Sequence, residues 1–326
     1  MRQIRSQLLG TGYFLPSKVM TNDDLSRIVD TSDEWISTRT GIKSRCIAAD
    51  DEYTSALCVN AAKKAIANSE IAVEDIDFII VATVTPDNTF PSTAAKVGKL
   101  LGIKNGAAAM DVNAACSGFV YATQVADNMI RLGQIKTALV IGAETLSKIT
   151  DWTDRNTCVL FGDGAGAAVL AGYEAEGNNT DKGILATKIY SDVSHYDTLC
   201  SDSGVSINQR SGFIHMDGKE VFRMAIPALV QGVEETLSLA NLTASDIDWY
   251  IPHQANLRII DSVAKKLNLP MEKVIVTVDH HGNTSAASIP LALAESIENG
   301  KIKPGNIIAI SSMGAGFTWG GIIIRV

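Results

Sequence analysis

Two stretches of this chain carry the same short pattern, and this internal repeat constrains the fold more than any other feature. Residues 71–80 (IAVEDIDFII) and 242–251 (LTASDIDWYI) share Asp-Ile-Asp at an offset of 171 positions. Each copy follows a predicted helix, over 54–69 and 219–240, and opens an apolar stretch that is typical of a buried strand. The pattern predicts two copies of one structural unit.

A second pair of similar stretches supports the duplication. Residues 133–136 (GQIK) match 300–303 (GKIK), each after an amphipathic helix and before an apolar run, at 138–142 and 307–311. The offset is now 167, so the loops differ between copies while the helices and strands persist. Chance agreement between short segments of an α/β chain is the alternative interpretation.

The order of strands and helices predicts the fold class. Apolar strands alternate with long helices, which is the pattern of βαβ units in a sheet covered on both faces. Residues 172–183 are rich in Gly, Asn and charge, and they predict the boundary between two halves. We expect an N-terminal half at 1–172 that carries a nucleophilic cysteine and a C-terminal half at 173–326 that carries a histidine and an asparagine.

Composition and charge exclude several classes of function. The formal net charge of the 326 residues is -8, and no long Lys/Arg run occurs, so nucleic acid is not an expected partner. Residues 1–6 lack the apolar core of a signal peptide, and no apolar stretch is long enough for membrane insertion. A cytoplasmic location is therefore expected. The five scattered cysteines form no C-x-x-C pair and predict neither disulfides nor a metal site.

The repeat singles out one cysteine as a candidate nucleophile. Cys116 and Asn283 both lie 17 residues before the repeated glycines Gly133 and Gly300, which predicts equivalent places in the two halves. Both would then face one cleft across a pseudo-twofold axis. A thiol at a helix N-terminus is expected to have a lowered pKa and to accept an acyl group. A buried structural cysteine is the competing interpretation.

His253 is the candidate partner of this cysteine. It follows an apolar strand, so its imidazole is presented at the C-terminal edge of a sheet, where ligand sites of α/β proteins gather. His280 and His281 lie near Asn283 and are interpreted as turn residues. His195 and His215 lie in polar stretches and receive no role.

Two glycine-rich runs have different interpretations. Residues 161–166 (FGDGAG) do not match G-x-G-x-x-G, and the strand-like residues 167–171 follow, so a nicotinamide site is excluded. Residues 313–321 (MGAGFTWGG) follow an apolar strand. Their backbone N–H groups are candidates for an oxyanion hole, with a tight turn between the halves as the alternative.

Taken together, these motifs resemble β-ketoacyl-acyl carrier protein synthase III, a family of condensing enzymes that start bacterial fatty-acid synthesis. The resemblance covers nearly the whole chain and rests on residues 30–36 with 39–41, 114–119, 161–167, 252–258, 281–287 and 316–320. It implies a thiolase-like, five-layered αβαβα fold built from two duplicated halves.

The resemblance also implies a reaction. Cys116 would accept an acyl group from an acyl-CoA substrate, and His253 and Asn283 would bind the thioester of malonyl-acyl carrier protein while carbon dioxide leaves. The backbone amides of Cys116 and Ala315 would stabilise the oxyanion. The products would be 3-oxoacyl-acyl carrier protein, CoA and carbon dioxide, and no permanently bound cofactor is implied.

Further residues are assigned by the same resemblance. Trp35 and Arg155 would sandwich the adenine of coenzyme A. The coenzyme A residues are Thr31, Trp35, Arg39, Arg155, Phe222 and Asn256, and the carrier-protein residues are Gln254, Ala255, Asn256, Leu257, Arg258 and Arg223. Phe90 would line the acyl pocket of the partner chain in a homodimer, and its bulk favours a short acyl group.

Three other functions are weighed against this one. The order Cys, His, Asn also occurs in papain-like proteases, but their local signature around the cysteine is absent and the scaffold is wrong. A non-catalytic homologue that binds acyl-CoA or carrier protein would not need all three polar residues. A related condensing enzyme of secondary metabolism, with a different acyl group or acceptor, is the serious alternative.

Overall fold

The computed structural model describes residues 3–103 and 106–326. Residues 1 and 2 lie outside the described residues. They belong to the segment 1–6, which was expected to lack the apolar core of a signal peptide. In the part of the chain that is described, no helix combines the length and the apolar character needed to cross a membrane.

Strands and helices alternate along the described residues, as the sequence predicts. The strands are β1 (Gln3–Phe14), β2 (Lys18–Thr21), β3 (Ser44–Ile47), β4 (Phe78–Ala82), β5 (Ala108–Val112), β6 (Thr137–Thr145), β7 (Asp163–Ala175), β8 (Gly183–Ser191), β9 (Leu199–Ser201), β10 (Ile214–Met216), β11 (Trp249–Pro252), β12 (Ile307–Gly314) and β13 (Thr318–Arg325). The helices are α1 (Asn22–Leu25), α2 (Asp33–Thr40), α3 (Thr54–Ser69), α4 (Thr93–Leu101), α5 (Gly118–Arg131), α6 (Val205–Asn208), α7 (Gly218–Leu239), α8 (Leu257–Lys266), α9 (Val278–His281) and α10 (Ser288–Glu298).

Two large sheets repeat one topology. The strand order of the first sheet is β1-β7-β6-β4-β5, and that of the second is β8-β13-β12-β11. In the first sheet β4 pairs with β6 in parallel, and the pairings β6–β7 and β7–β1 that follow are antiparallel. In the second sheet β11 likewise pairs with β12 in parallel, and the pairings β12–β13 and β13–β8 are antiparallel. The duplication predicted from the sequence is confirmed, and both sheets are mixed because β7 and β13 run back along β6 and β12.

Helices cover both sheets and fill the space between them. Alternate residues of a strand point to opposite faces. Ile79 and Val81 therefore pack against α3 and α4 on the outside, whereas Phe78 and Ile80 face the central layer of α5 and α10. Helices α7 and α8 cover the outer face of the second sheet. These are the five layers of the predicted αβαβα fold.

The register of the repeat differs from the prediction at the two candidate residues. Short 3₁₀ turns precede α5 and α10, at Ala115–Ser117 and Ser285–Ala287, and the first residue of each has φ +46°. The counterpart of Cys116 is therefore Ala286, whereas Asn283 corresponds to Asn113. The predicted equivalence of Cys116 and Asn283 is measured from the glycines that follow α5 and α10. These helices differ in length, with 14 residues in α5 and 11 in α10, so the register before them is shifted. The two turns nonetheless pack against each other.

The glycine-rich run at 161–166 serves packing. Its last glycine, Gly166, lies in β7, where a Cβ atom would approach the carbonyl carbon of Pro290 to 2.5 Å. On the neighbouring strand, a Cβ at Gly142 would lie 2.2 Å from the carbonyl oxygen of Ala286. The missing side chains let α10 pack closely on the first sheet, and the strand after the run agrees with the exclusion of a dinucleotide loop.

The segment between the two sheets is shorter than the sequence predicts. Strand β7 continues to Ala175, four residues beyond the expected strand end at Ala171, and β8 begins at Gly183. The division into halves at 1–172 and 173–326 stays a prediction.

Candidate active site

One cavity of about 570 Å³ opens between the two halves of the chain. Its lining includes the three candidate catalytic residues Cys116, His253 and Asn283, each from a different loop or turn. Other lining residues come from both halves, among them Asn113, Leu146, Phe161, Leu199, Cys200, Phe222, Asn256, Met313 and Ala315. The structure therefore brings together residues that lie far apart in the sequence.

Cys116 lies in the 3₁₀ turn before α5 and is only 8% exposed. Its carbonyl oxygen accepts a hydrogen bond of 2.7 Å from the hydroxyl of Ser312 in β12. A Cβ at Gly314 would lie 2.6 Å from the backbone nitrogen of Cys116, so only glycine permits this close approach. The end of β12 thus fixes the backbone of the candidate nucleophile.

The pKa of the Cys116 thiol differs from the expectation. Burial raises it to about 12, and a hydrogen bond with Ser285 opposes this shift only in part. The lowered pKa predicted from the helix N-terminus is not found, because desolvation of the thiolate dominates. At rest the thiol is protonated, and it must lose its proton as the sulfur forms a new bond.

His253 directly follows β11, as predicted, and is held at two points. Its backbone nitrogen donates to the carbonyl of Ser311, at 2.8 Å, and its Nδ1 lies 2.7 Å from the hydroxyl of Ser288. When Ser288 donates to Nδ1, the ring proton resides on Nε2. The imidazole can then donate a hydrogen bond to an oxygen in the cavity.

Burial makes a neutral His253 the expected form across the physiological range. It lowers the pKa of the imidazole from 6.5 to about 4. Between about pH 6.5 and pH 4 the imidazole is protonated in the unfolded chain but stays neutral in the folded chain. The contribution of His253 to folding stability is therefore lost as the pH falls through this range.

NMR titration of ¹³C-labelled histidine, with His253→Gln to assign the resonance, should give a pKa below about 5 for His253. A pKa near the ordinary value would contradict this account.

Asn283 is fixed by its neighbours so that its amide donor is available. Its backbone nitrogen donates to the carbonyl of Leu160, at 2.8 Å, and it forms a parallel bridge with Phe161. Its side-chain oxygen accepts a hydrogen bond of 2.9 Å from the backbone nitrogen of Ser285. Because the side-chain oxygen already accepts this hydrogen bond, the Nδ2 group is free to donate a hydrogen bond to a substrate oxygen.

The sequence analysis missed a carboxyl group near the cavity. Glu144 is the penultimate residue of the apolar strand β6 and is fully buried. It accepts hydrogen bonds from Thr85 Oγ1 at 2.7 Å and from the backbone nitrogen of Val84. Burial raises its pKa to about 7. It also influences the thiol, because its charge raises the pKa of Cys116. The available signal was an acidic residue in an otherwise apolar run.

The predicted carrier-protein residues fall into two groups. Gln254 cannot contact a docked protein because it is fully buried. Its side-chain oxygen accepts hydrogen bonds from the backbone nitrogens of Thr277 and Val278. This prediction was wrong, because the Gln254 side chain lies in the interior and not at the surface. Ala255 and Asn256 line the cavity, and the Asn256 side chain also caps the N-terminus of α8.

Three predicted docking residues lie nearer the surface. Leu257 is half-buried, and Arg258 is exposed, with its guanidinium 5.5 Å from the ring centre of Phe222. Arg223 forms an ion pair with Glu220, so its charge is already partly neutralised. Arg258 is therefore the strongest of the predicted docking cations.

The predicted coenzyme A residues form a surface group and a cavity group. Arg39 and Arg155 both pack on the Trp35 indole, with guanidinium carbons 4.6 Å and 4.8 Å from its centre. At that distance Arg155 stacks directly on Trp35, so an adenine could enter between them only if Arg155 moved. Thr31 Oγ1 is buried and unpaired among the described residues. Phe222 and Asn256 line the cavity.

Other predicted residues are placed as follows. Phe90 is 82% exposed and lies outside the described cavity lining. The cavity lining also includes Tyr196, Leu199, Cys200 and Ser201, which lie between β8 and β10 or in β9. His280 and His281 were interpreted as turn residues, but they form the last turn of the short helix α9.

Two family models match most of the region that builds this site. Residues 110–193 match "3-Oxoacyl-[acyl-carrier-protein (ACP)] synthase III", and residues 237–326 match its C-terminal model. The first match contains Cys116, and the second contains His253 and Asn283.

Named proteins and solved structures are similar to this chain over nearly its full length. The beta-ketoacyl-[acyl-carrier-protein] synthase III of Paramagnetospirillum magneticum is 55% identical over 323 residues, covering 99% of each chain. The solved structure of 3-oxoacyl-[acyl-carrier-protein] synthase III from Aquifex aeolicus has a TM-score of 0.92 and 47% identity, covering 98% of this chain and all of that one. The priming beta-ketosynthase of the R1128 polyketide pathway has a TM-score of 0.92 but 33% identity, covering 99% of this chain and 97% of that one.

Proposed function

The chain belongs to the 3-oxoacyl-[acyl-carrier-protein] synthase III family of condensing acyltransferases, and from this premise we propose how its own residues perform the initiating condensation of fatty-acid synthesis. The substrates are a short acyl-CoA and malonyl-acyl carrier protein. The products are 3-oxoacyl-acyl carrier protein, CoA and carbon dioxide. The observation that carries the assignment of roles is the convergence of Cys116, His253 and Asn283 on one cavity.

The first half-reaction transfers the acyl group to Cys116. The sulfur attacks the thioester carbonyl of acyl-CoA, and the tetrahedral oxyanion accepts hydrogen bonds from the backbone amides of Cys116 and Ala315. The carbon–sulfur bond to coenzyme A then breaks. The proton that the buried thiol loses ends on the departing CoA thiol, so the balance needs no further reactant.

The second half-reaction forms the carbon–carbon bond. His253 Nε2–H and Asn283 Nδ2–H donate to the thioester oxygen of the malonyl group, whose carboxylate leaves as carbon dioxide. These neutral donors stabilise the enolate, whose negative charge is greatest on the atom they contact. The enolate carbon attacks the acyl-cysteine, and the Cys116 sulfur leaves as a thiolate that takes a proton from solvent, so each turnover consumes one proton.

A coupled assay tests this reaction. Purified protein is supplied with acyl-CoA of increasing chain length and malonyl-acyl carrier protein, and the carrier protein is analysed by mass spectrometry. We expect 3-oxoacyl-acyl carrier protein to accumulate, most rapidly with short acyl groups. Product formation from malonyl-CoA alone, with no use of the carrier protein, would favour a condensing enzyme of secondary metabolism.

Arg258 is proposed as the main docking cation for the acidic carrier protein. It is exposed at the start of α8, beside Phe222, which lines the cavity. Charge reversal in Arg258→Glu should lower kcat/KM for malonyl-acyl carrier protein roughly 10-fold or more while changing acylation by acyl-CoA less, because a rim charge mainly affects encounter with a charged partner.

Lys303→Glu is the matched control for this docking prediction. It makes the same charge change on an exposed residue between α10 and β12, away from Arg258. An equal loss in both variants, or an equal loss in both half-reactions of Arg258→Glu, would contradict local docking.

A homodimer accounts for the position of Phe90. This side chain is 82% exposed and is not among the lining residues of its own cavity. The edge strand β5 carries exposed residues including Met110. An open strand edge is able to pair with a second copy. We propose that two chains join along β5 and that Phe90 enters the partner's acyl pocket. Sedimentation equilibrium should give twice the chain mass.

A cytoplasmic location is the remaining part of the proposal. The five cysteines are free thiols, four of them buried, which agrees with a reducing compartment. Identity of 55% to the beta-ketoacyl-[acyl-carrier-protein] synthase III of Paramagnetospirillum magneticum, against 33% to the priming polyketide ketosynthase, supports primary metabolism.

A further inference from the structure

Two histidines and a glutamate form a cluster beside the segment that carries Asn283. His280 and His281 end helix α9, and Glu295 faces them from α10. Glu295 Oε2 lies 3.3 Å from Nε2 of His280 and 3.0 Å from Nε2 of His281. One potential ligand atom from each of the three residues lies within 4.8 Å of the others.

These side chains are the ligands that zinc-class cations prefer. Imidazole nitrogen and carboxylate oxygen bind zinc at about 2.0–2.2 Å, so neighbouring ligand atoms of a tetrahedral shell are roughly 3.3 Å apart. The two measured nitrogen–oxygen separations are close to this value. His280 is 44% exposed and Glu295 is 25% exposed, which leaves one side open for a water molecule as fourth ligand.

The surroundings of the cluster are also those of a metal site. Asp279 Oδ1 lies 2.8 Å from Nδ1 of His280, an outer carboxylate that orients the ring and directs Nε2 towards Glu295. Nε2 is the ring atom of His281 that faces Glu295, whereas its Nδ1 is buried and has no hydrogen-bond partner among the described residues. An outer partner that orients a ligand ring is therefore present for His280 but not for His281.

We propose that His280, His281 and Glu295 bind one divalent cation of the zinc class. The ion would connect α9 to α10 and so anchor the chain on both sides of Asn283, because His281 lies two residues before Asn283 and Glu295 lies on the helix that follows. The site is separate from the condensation proposed above, and its test does not depend on that activity.

Zinc binding can be measured directly on the untagged full-length protein. After treatment with a chelator, the protein is titrated with Zn²⁺ in competition with a chromophoric chelator. We expect one ion per chain, and we expect His280→Ala to weaken binding by more than about 10-fold, since it removes a ligand rather than an outer partner. His215→Ala, which removes an exposed histidine from β10, should bind like the wild type.

A second variant separates metal binding from ion pairing. His280→Arg keeps a cation beside Glu295 but cannot bind zinc, so it should fold normally and lose the ion. Zinc should raise the melting temperature of the wild type and of His215→Ala but not that of His280→Arg. No saturable binding to the wild type, or equal binding to His280→Ala or His280→Arg, would overturn the proposal.

Discussion

Alanine at His253 or Asn283 is expected to abolish decarboxylation of the malonyl thioester while leaving acylation of Cys116 within a few-fold of the wild type. Each side chain supplies one hydrogen-bond donor to the oxygen that becomes negative. Loss of one such donor typically lowers kcat by about 10²–10³-fold. Acylation is spared because its oxyanion is bound by backbone amides, which these substitutions do not remove.

The two half-reactions are measured separately for this prediction. Carbon dioxide release from a malonyl thioester reports decarboxylation, and the intact mass of the protein after treatment with acetyl-CoA reports acylation. Asn113→Ala is the matched control, because Asn113 lines the same cavity and is the repeat counterpart of Asn283. Normal carbon dioxide release from His253→Ala and Asn283→Ala, or equal losses in Asn113→Ala, would contradict the roles assigned here.

Replacing Cys116 with alanine should lower condensation by roughly 10³-fold or more, because no other group in the mechanism can hold the acyl chain. Cys116→Ser keeps nearly the same volume in this tightly packed turn but supplies a poorer nucleophile, so it should also lose most activity. Both variants keep His253 and Asn283 and should still release carbon dioxide from the malonyl thioester.

Cys200→Ala is the matched control for the nucleophile. Cys200 lines the same cavity, and the residue is more exposed than Cys116. Steady-state formation of 3-oxoacyl-acyl carrier protein should be close to normal in this variant. A large loss in Cys200→Ala together with activity in Cys116→Ala would show that the wrong thiol has been assigned.

Local patterns in the sequence were sufficient to predict several helices and strands and to single out three candidate catalytic residues, which the structure brings to one cavity. The helix predicted over 54–69 matches α3 (Thr54–Ser69), and the one predicted over 219–240 lies within a residue of α7 (Gly218–Leu239) at both ends. The position of His253 at a strand exit follows from the apolar strand before it. Periodicity and strand order are properties of neighbouring residues, which is why they can be read locally.

Properties that depend on distant contacts were not predictable in this way. The pKa of Cys116 depends on burial between both halves, which outweighs the effect of its own helix. Gln254 looks like a surface residue in sequence, but the segment at 275–278 packs against it, accepting one hydrogen bond from its side chain and donating two to it. Ser288 and Glu144 gain their importance from partners that lie 35 and about 60 positions away.

The location of the acyl group after the first half-reaction tests the central claim most directly. Wild-type protein is incubated with acetyl-CoA without malonyl substrate, digested, and analysed by peptide mass spectrometry, alongside Cys116→Ala and Cys200→Ala. The account predicts one acetyl group on the peptide that contains Cys116, its presence in Cys200→Ala, and its absence from Cys116→Ala. An unmodified Cys116 peptide, or an acetyl group that persists at full level in Cys116→Ala, would contradict it.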